Sequence, residues 1–266
     1  MGYLDTKRHF PDKETKVIAI INQKGGVGKS TTTVNLAASL GEDKKKVLLV
    51  DFDPQGNTTS GYGINKEELD HDIYDALLND YPIADLILDT CIKNVYVIPS
   101  TIQLAGAEIE LVSAMARESI LKSLLDQVKD EFDYVFIDCP PSLGLLTINA
   151  LVAADSLLIP IQCEYYALEG VSKILESMKM IKSRLNPKLE LFGVVMTMYD
   201  TRTSLSHDVV EEVSAYFGNK MFKTVIPRNV KIAEAPSHGV PIIKYARVSK
   251  GSLAYMNLAR EVVRRG

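Results

Sequence analysis

The sequence contains no C-x-x-C pair, and its three cysteines (Cys91, Cys139 and Cys163) are scattered through 266 residues. An odd, dispersed set suits neither a zinc site nor a disulfide framework, so reduced thiols in the cytoplasm are expected. A signal peptide is also missing: the opening MGYLDTKRHFPDKETK is charged throughout and has no apolar centre. No clean apolar run approaches the roughly 20 residues that a membrane span needs. The most apolar stretch, LGLLTINALVAADSLLIPI at 143–161, is interrupted by Asn149, Asp155 and Pro160, and reads as a buried helix followed by a buried strand. Internal repeats and low-complexity linkers are absent. The simplest organisation is an N-terminal tail at 1–15 and a single domain at 16–266.

An overall positive charge is lacking as well. The formal net charge of −4 argues against a nucleic-acid partner by bulk charge alone. Its distribution points the other way. Residues 220–266 hold ten Lys/Arg and only two acids, Glu234 and Glu261, a local +8 that leaves −12 on the rest. Such asymmetry marks either a surface for a polyanion or a solvated basic face.

Short apolar, β-branched runs recur: KVIAIIN (16–22), KVLLVDFD (46–53), YVIPS (96–100), YVFIDCPP (134–141), SLLIPIQ (156–162), FGVVMTMYD (192–200) and KTVIPR (223–228). Helical patterns lie between them, near 70–79, 104–129, 143–153, 166–184 and 204–217, and an amphipathic helix closes the chain. Alternation of this kind predicts an α/β fold with a mainly parallel twisted sheet and helices on both faces. Ligands of such sheets bind beyond the carboxyl ends of the strands, where the polar motifs fall.

The first strand runs into NQKGGVGKSTT (22–32). Aligned on Gly28, Lys29 and Ser30, the phosphate-binding pattern G-x-x-x-x-G-K-[ST] wants glycine at position 23, which is Gln23. Gly25, Gly26, Val27 and Gly28 nevertheless supply a turn whose N–H groups converge at a helix start, a setting that favours anions. Lys29 offers a charge to the β- and γ-phosphates, Ser30 a hydroxyl to Mg²⁺, and Thr31 one to the α-phosphate region. Asp138, closing YVFID, suits a metal-supporting carboxylate on a neighbouring strand. Asp53 in VDFDPQGN is placed to orient an attacking water near the metal; its other reading is a turn former before Pro54. Asp51 reads as support for the metal shell or for the Lys29 end of the loop. Lys24 is the departure from the ordinary pattern. On the loop's outer lip it supplies charge where an arginine finger would act, and it is placed to reach a nucleotide on a second subunit.

KGGVGKST, VDFDPQGN and FIDCPPSLGLLTINAL together resemble the deviant Walker A ATPases of the ParA/MinD family, phosphate-loop NTPases of the SIMIBI type. The resemblance runs from about residue 16 to 264. TIQLAGAEIEL (101–111), IQCEYYALEG (161–170) and IPRNVKIAEAPSHG (226–239) resemble its chromosomal, Soj-type ParA branch. It implies ATP/ADP and Mg²⁺ as ligands and a homodimer closed by ATP, with Lys24 crossing to the partner's nucleotide. Lys29 would hold the phosphates, Ser30 the Mg²⁺, and Asp53 would assist hydrolysis. Asp138 would support the metal through water, and Pro227, Asn229 and Met198 would border the adenine, core packing being the other reading of Met198. It further implies non-specific binding of double-stranded DNA through Arg202, Lys231 and Lys250, with Arg228, Lys244 and Arg247 extending the patch. A ParB/Spo0J-type protein would stimulate hydrolysis, DnaA is a further partner of the family, and the location would be cytoplasmic and nucleoid-associated.

Two other readings are open. A MinD-like cell-division ATPase would carry an amphipathic membrane-targeting tail, whereas this chain closes on VVRRG with no Phe or Trp in its last helix, so no stable membrane association is expected. An iron–sulfur electron donor would need cysteines arranged to bridge a cluster across a dimer, and neither Cys139 nor Cys163 has a C-x-x-C partner. The lack of an N-terminal helix-turn-helix extension argues against operator-specific autorepression.

Overall fold

The computed structural model describes residues 14–265. The tail expected at 1–15 falls outside the described residues apart from Glu14 and Thr15. Thr15 is already tied down, its hydroxyl donating to the carbonyls of Phe132 (2.9 Å) and Lys129 (3.1 Å).

In chain order the elements are β1 (Lys16–Ile20), α1 (Lys29–Glu42), β2 (Val47–Asp51), α2 (Asn57–Gly61), α3 (Ile73–Leu78), β3 (Leu88–Asp89), β4 (Val95–Ile98), α4 (Leu104–Glu110), α5 (Ile120–Leu125) and β5 (Tyr134–Asp138). They continue with α6 (Leu145–Ala153), β6 (Ser156–Gln162), α7 (Glu169–Arg184), β7 (Glu190–Thr197), α8 (Ser204–Phe217), α9 (Val230–Glu234), α10 (Ile242–Tyr245) and α11 (Lys250–Arg265). The strands form one sheet in the order β3-β4-β2-β5-β1-β6-β7, parallel throughout except for the two-residue β3 at one edge. The α/β architecture expected from the sequence is therefore the observed one.

The central strands are buried on both faces, as their unbroken apolar runs require. Val17, Ala19, Val135 and Ile137 point into one core, which α3 to α8 cover. Ile18, Ile20, Tyr134 and Phe136 point into the other, against α1, α10 and α11. Each fully buried large side chain, such as Ile18 or Phe136, contributes on the order of 1.5–3 kcal/mol. The segment at 143–161 resolves into α6 and β6, the buried helix and strand read from its composition.

Two expected elements differ. The long helix at 104–129 is broken: the chain leaves helical geometry at Ala114, and Ala116 takes φ +50°. Asn149 holds that turn by donating to the carbonyl of Arg117 at 2.8 Å. KTVIPR at 223–228 is not a strand. Its Lys223 and Thr224 N–H groups donate to the Glu261 carboxylate of α11 (2.8 and 3.1 Å), and Pro227 has no N–H to give. Only its second half runs beside the end of β7: Ile226 donates its N–H to the carbonyl of Met196 at 2.8 Å, and Pro227 forms an isolated bridge with Tyr199 just past the strand.

Register sets up the site. Ile20 pairs with Asp138, and Asp138 pairs with Asp51, so three adjacent strands end level. The loop after β1 and the acids of β2 and β5 thereby meet at the carboxyl ends of the central strands.

Candidate nucleotide-binding site

The loop from Ile21 to Gly28 turns β1 into α1 through two left-handed glycines, Gly26 (φ +77°) and Gly28 (φ +90°). Side chains rarely adopt these angles, so glycine is required for the backbone rather than for space. A Cβ built on Gly25 or Gly26 would meet nothing within 4 Å, so the loop is open to solvent beside both. Lys29 and Ser30 form the first turn of α1, and Thr31 follows them. Lys29 is almost wholly buried, a position that a lysine holds only beside compensating negative charge or a polar ligand.

Two braces tie this loop to partners that the sequence does not indicate. Asn22 donates its amide to the carbonyl of Pro160 at 2.7 Å and accepts the N–H of Lys24 at 3.0 Å, tying the loop's entry to β6. Thr197, the last residue of β7, donates its hydroxyl to the carbonyl of Val27 at 2.8 Å. Asn22 opens the loop motif, but the motif does not indicate its partner; only the fold brings strands β6 and β7 against the loop.

Asp138 is fully buried between three hydroxyls. Thr58 donates to it at 2.7 Å and Thr33 at 3.4 Å, and Ser30 donates from the loop side. Burial pushes its carboxyl up to about 6, against the opposing pull of those hydroxyls and of Lys29. Asp51 accepts both the N–H and the hydroxyl of Thr59 at 2.7 Å. Burial, and then the charge of Asp138, push its carboxyl up to about 8. Asp51 therefore props α2 through Thr59, and among the described residues no hydrogen bond or ion pair joins it to Lys29.

Asp53 lies just beyond β2 and is mostly buried. Its carboxylate accepts the N–H of Gln55 at 2.9 Å, so it does form the turn before α2, while Ser100 at the end of β4 donates to its carbonyl at 3.0 Å. Among the described residues no cluster of three or more His, Cys, Asp or Glu could cage a metal by itself. One hydroxyl, Ser30, beside one carboxylate, Asp138, instead suits Mg²⁺, which keeps waters and takes phosphate oxygens as its remaining ligands. The residues present thus fit a magnesium nucleotide.

Lys24 is half-exposed on the outer lip, and its amine is ion-paired with Glu164 of the same chain. The three residues expected near a base come together. Met198, half-buried with φ +54°, follows β7, and the next residue, Tyr199, exchanges backbone bonds with Ile226 (3.0 Å) and Arg228 (2.9 Å) on either side of Pro227. Asn229 uses its side-chain oxygen to cap α9, accepting from the N–H of Lys231 at 2.8 Å, which leaves its amide group to donate. Met198 is not a core residue.

The basic residues gather on the neighbouring surface. A Cβ on Gly251 would lie 2.6 Å from Ile232, so the start of α11, with Lys250, packs on α9, which carries Lys231. A groove of about 900 Å³ beside them is lined by Tyr199, Pro227, Lys223, Lys250, Arg260 and Arg264, among others. Arg202 is exposed but grips Asp200 with two bonds (2.7 and 2.9 Å), and Lys231 pairs with Glu234 at 2.9 Å. Both would have to exchange a carboxylate for any phosphate they meet. The Arg202 bonds hold the Asp200 carboxyl well below its usual range.

A glycine loop opening a helix, a buried lysine, and hydroxyl and carboxylate groups level with it at the strand ends define a phosphate-loop nucleotide-binding protein. A family profile described as "AAA domain" matches residues 15–191. The sporulation initiation inhibitor protein Soj of Bacillus subtilis is 57% identical over 251 residues, 94% of this chain and 99% of that one. The chromosome partitioning protein ParA of Myxococcus xanthus is 52% identical over 250 residues, covering 94% and 88% respectively. In structure the chain is similar to cobyrinic acid a,c-diamide synthase of Mycobacterium smegmatis with bound ADP and magnesium, at a TM-score of 0.83, 37% identity, and coverage of 94% and 95%. The chain belongs to the ParA/MinD family of deviant Walker A ATPases.

Proposed function

We propose that this chain is a ParA-type partitioning ATPase that binds Mg²⁺ and ATP, dimerises on ATP, binds DNA without sequence preference and hydrolyses ATP to let go. The observation that carries the reading is a second lysine, Lys24, on the outer lip of a loop whose other lysine, Lys29, is already buried at the start of α1. The similarity to Soj and ParA over nearly the whole chain supports the partitioning role.

Lys29 and the loop N–H groups would hold the phosphates, with Thr31 at the α-phosphate, and Ser30 would ligate Mg²⁺ with Asp138 behind it. Asp53 would orient the attacking water at the edge of the metal site. Met198, Pro227 and Asn229 would border the base. Lys24 would cross to the partner's nucleotide, which makes the triphosphate part of the dimer interface. Arg202, Lys231 and Lys250 from both subunits would then form one phosphate-binding face. Since DNA would bind the dimer better than the monomer, by linkage it would favour the dimer. A ParB/Spo0J-type partner would accelerate hydrolysis, and control of replication through DnaA is a further role of the same switch.

The MinD-like alternative loses support from α11. Its apolar residues Ala254, Tyr255, Leu258, Ala259 and Val262 are buried against the domain and so are committed to the core rather than to a lipid surface. No described helix is long and apolar enough to cross a membrane.

Sedimentation with ADP, with ATP, and with ATP plus non-specific DNA tests the proposal. Monomer, dimer and DNA-bound dimer are the expected species; a monomer in all three conditions overturns it.

A further inference from the structure

We propose that Glu164 is a latch on Lys24: within one subunit its carboxylate holds the amine back, and dimer closure requires the partner's triphosphate to take that amine away. The inference rests on the reading that Lys24 bridges to a partner's nucleotide.

Three observations converge on this pair. First, the Lys24 amine is ion-paired with Glu164 of its own chain and not directed at its own loop. Second, the backbone at Lys24 is fixed by the Asn22 side chain, which is itself anchored to Pro160 of β6. Glu164 stands just past the end of that same strand, in a turn where its N–H donates to Gln162 (2.9 Å) and its carbonyl accepts from Ala167 (3.0 Å). Both ends of the ion pair therefore leave adjacent parallel strands, Lys24 from the loop after β1 and Glu164 from the turn after β6, which keeps their backbones close. Third, Glu164 is followed by two exposed aromatics, Tyr165 (75%) and Tyr166 (67%), so the latch sits on open surface that an approaching subunit can reach.

The physical consequence is discrimination between nucleotides. One carboxylate competes with a phosphate group for one ammonium. A γ-phosphate, more highly charged than a carboxylate, would displace it at the position Lys24 would reach across the dimer, whereas ADP places no phosphate at that position and leaves the pair closed. A dimer breaks two such pairs, so their modest individual strength counts twice. An exposed pair is worth little alone, and two of them correspond to roughly a 2- to 30-fold handicap on dimerisation. That handicap is screened by salt.

The test is sedimentation velocity on the full chain with Mg²⁺ and ATPγS or ADP, comparing wild type, Glu164→Gln, Glu164→Asp and Lys24→Ala. Glu164→Gln is expected to dimerise roughly 2- to 30-fold more tightly with ATPγS, with an advantage that shrinks as salt is raised. Glu164→Asp, which keeps the charge, is expected to fall between Glu164→Gln and wild type. In a Lys24→Ala background the Glu164→Gln change is expected to have no effect. Dimerisation by Glu164→Gln that equals the wild type's, or is weaker because the carboxylate serves the closed dimer, overturns the latch. If Lys24→Ala itself dimerises normally with ATPγS, the bridging role of Lys24 falls. If Lys24→Ala is monomeric and Glu164→Gln matches wild type, only the latch falls.

Discussion

Asp51 and Asp138 are paired across β2 and β5 at the carboxyl ends of the two strands, and both are fully buried. Two carboxylates this close cannot both ionise cheaply in a dry setting. Burial and mutual repulsion push Asp51 up to about 8, from an ordinary value of 3.8. Between those values the native state keeps a proton that the unfolded chain gives up, so stability falls as pH rises from about 4 to about 8 and levels off above. Asp51→Asn keeps an acceptor for Thr59 and removes the titration. In the nucleotide-free protein it is expected to flatten the pH dependence of the melting temperature and to raise that temperature at pH 8 by roughly 3–8 °C. An unchanged slope in thermal melts across this range would refute it.

Thr197 and Val27 are 170 positions apart in sequence, yet the hydroxyl of one satisfies the buried carbonyl of the other. Thr197→Val keeps the shape and strands that acceptor, at a cost of about 1–3 kcal/mol. The change is expected to appear both in chemical denaturation and, because the loop is then unbraced, as weaker ATP binding in calorimetry.

Gly28 holds φ +90° at the entrance to α1. Alanine there is strained by about 1–3 kcal/mol, and relief of the strain moves the N–H groups that would meet phosphate. Gly28→Ala is expected to weaken ATP by at least about tenfold, the equivalent of 1.4 kcal/mol, while circular dichroism stays native.

Asp53→Ala is expected to lower ATP turnover by roughly 10²- to 10⁴-fold, the range for loss of a positioned acid–base group. The dimer should still form, and it should persist on DNA. Elution as a monomer with ATP, or near-normal phosphate release, would remove Asp53 from its proposed role.

Arg202→Ala with Lys231→Ala is expected to leave ATP-dependent dimerisation intact and to weaken DNA binding at every sequence alike. The slope of log affinity against log salt should drop by about 0.9 for each phosphate that is no longer neutralised. Because both side chains are already shared with Asp200 and Glu234, the weakening is expected to be smaller than for cations without a carboxylate partner. Retention on DNA that does not change places the binding face elsewhere, with the Lys223, Lys250 and Arg264 groove as the next surface to test.

Much of this is legible in one dimension because the determinants are local. A β-branched run buried on both faces, a left-handed glycine, or a Lys-Ser pair at a helix start carries its physical meaning within a few residues, as KVIAIINQKGGVGKS does. The stretch at 223–228 departs from its expected strand for the converse reason: its composition suits a strand, but Glu261, 37 residues beyond Thr224, captures the N–H groups of Lys223 and Thr224. The segment at 104–129 has helical composition throughout, and it is Asn149 of α6, reaching Arg117, that fixes the break.

The sequence by itself determined the alternation of strands and helices, the curl of the glycine loop and the lysine and hydroxyl residues that follow it at the start of α1, since each depends on neighbours close in the chain. Tertiary structure alone decided that Asp51 and Asp138 share one buried site, that Thr197 and Asn22 brace the loop, and that Lys24 is held by Glu164. Those contacts join strands brought side by side only by the order in which the parallel sheet is assembled, and spacing along the chain does not encode that order.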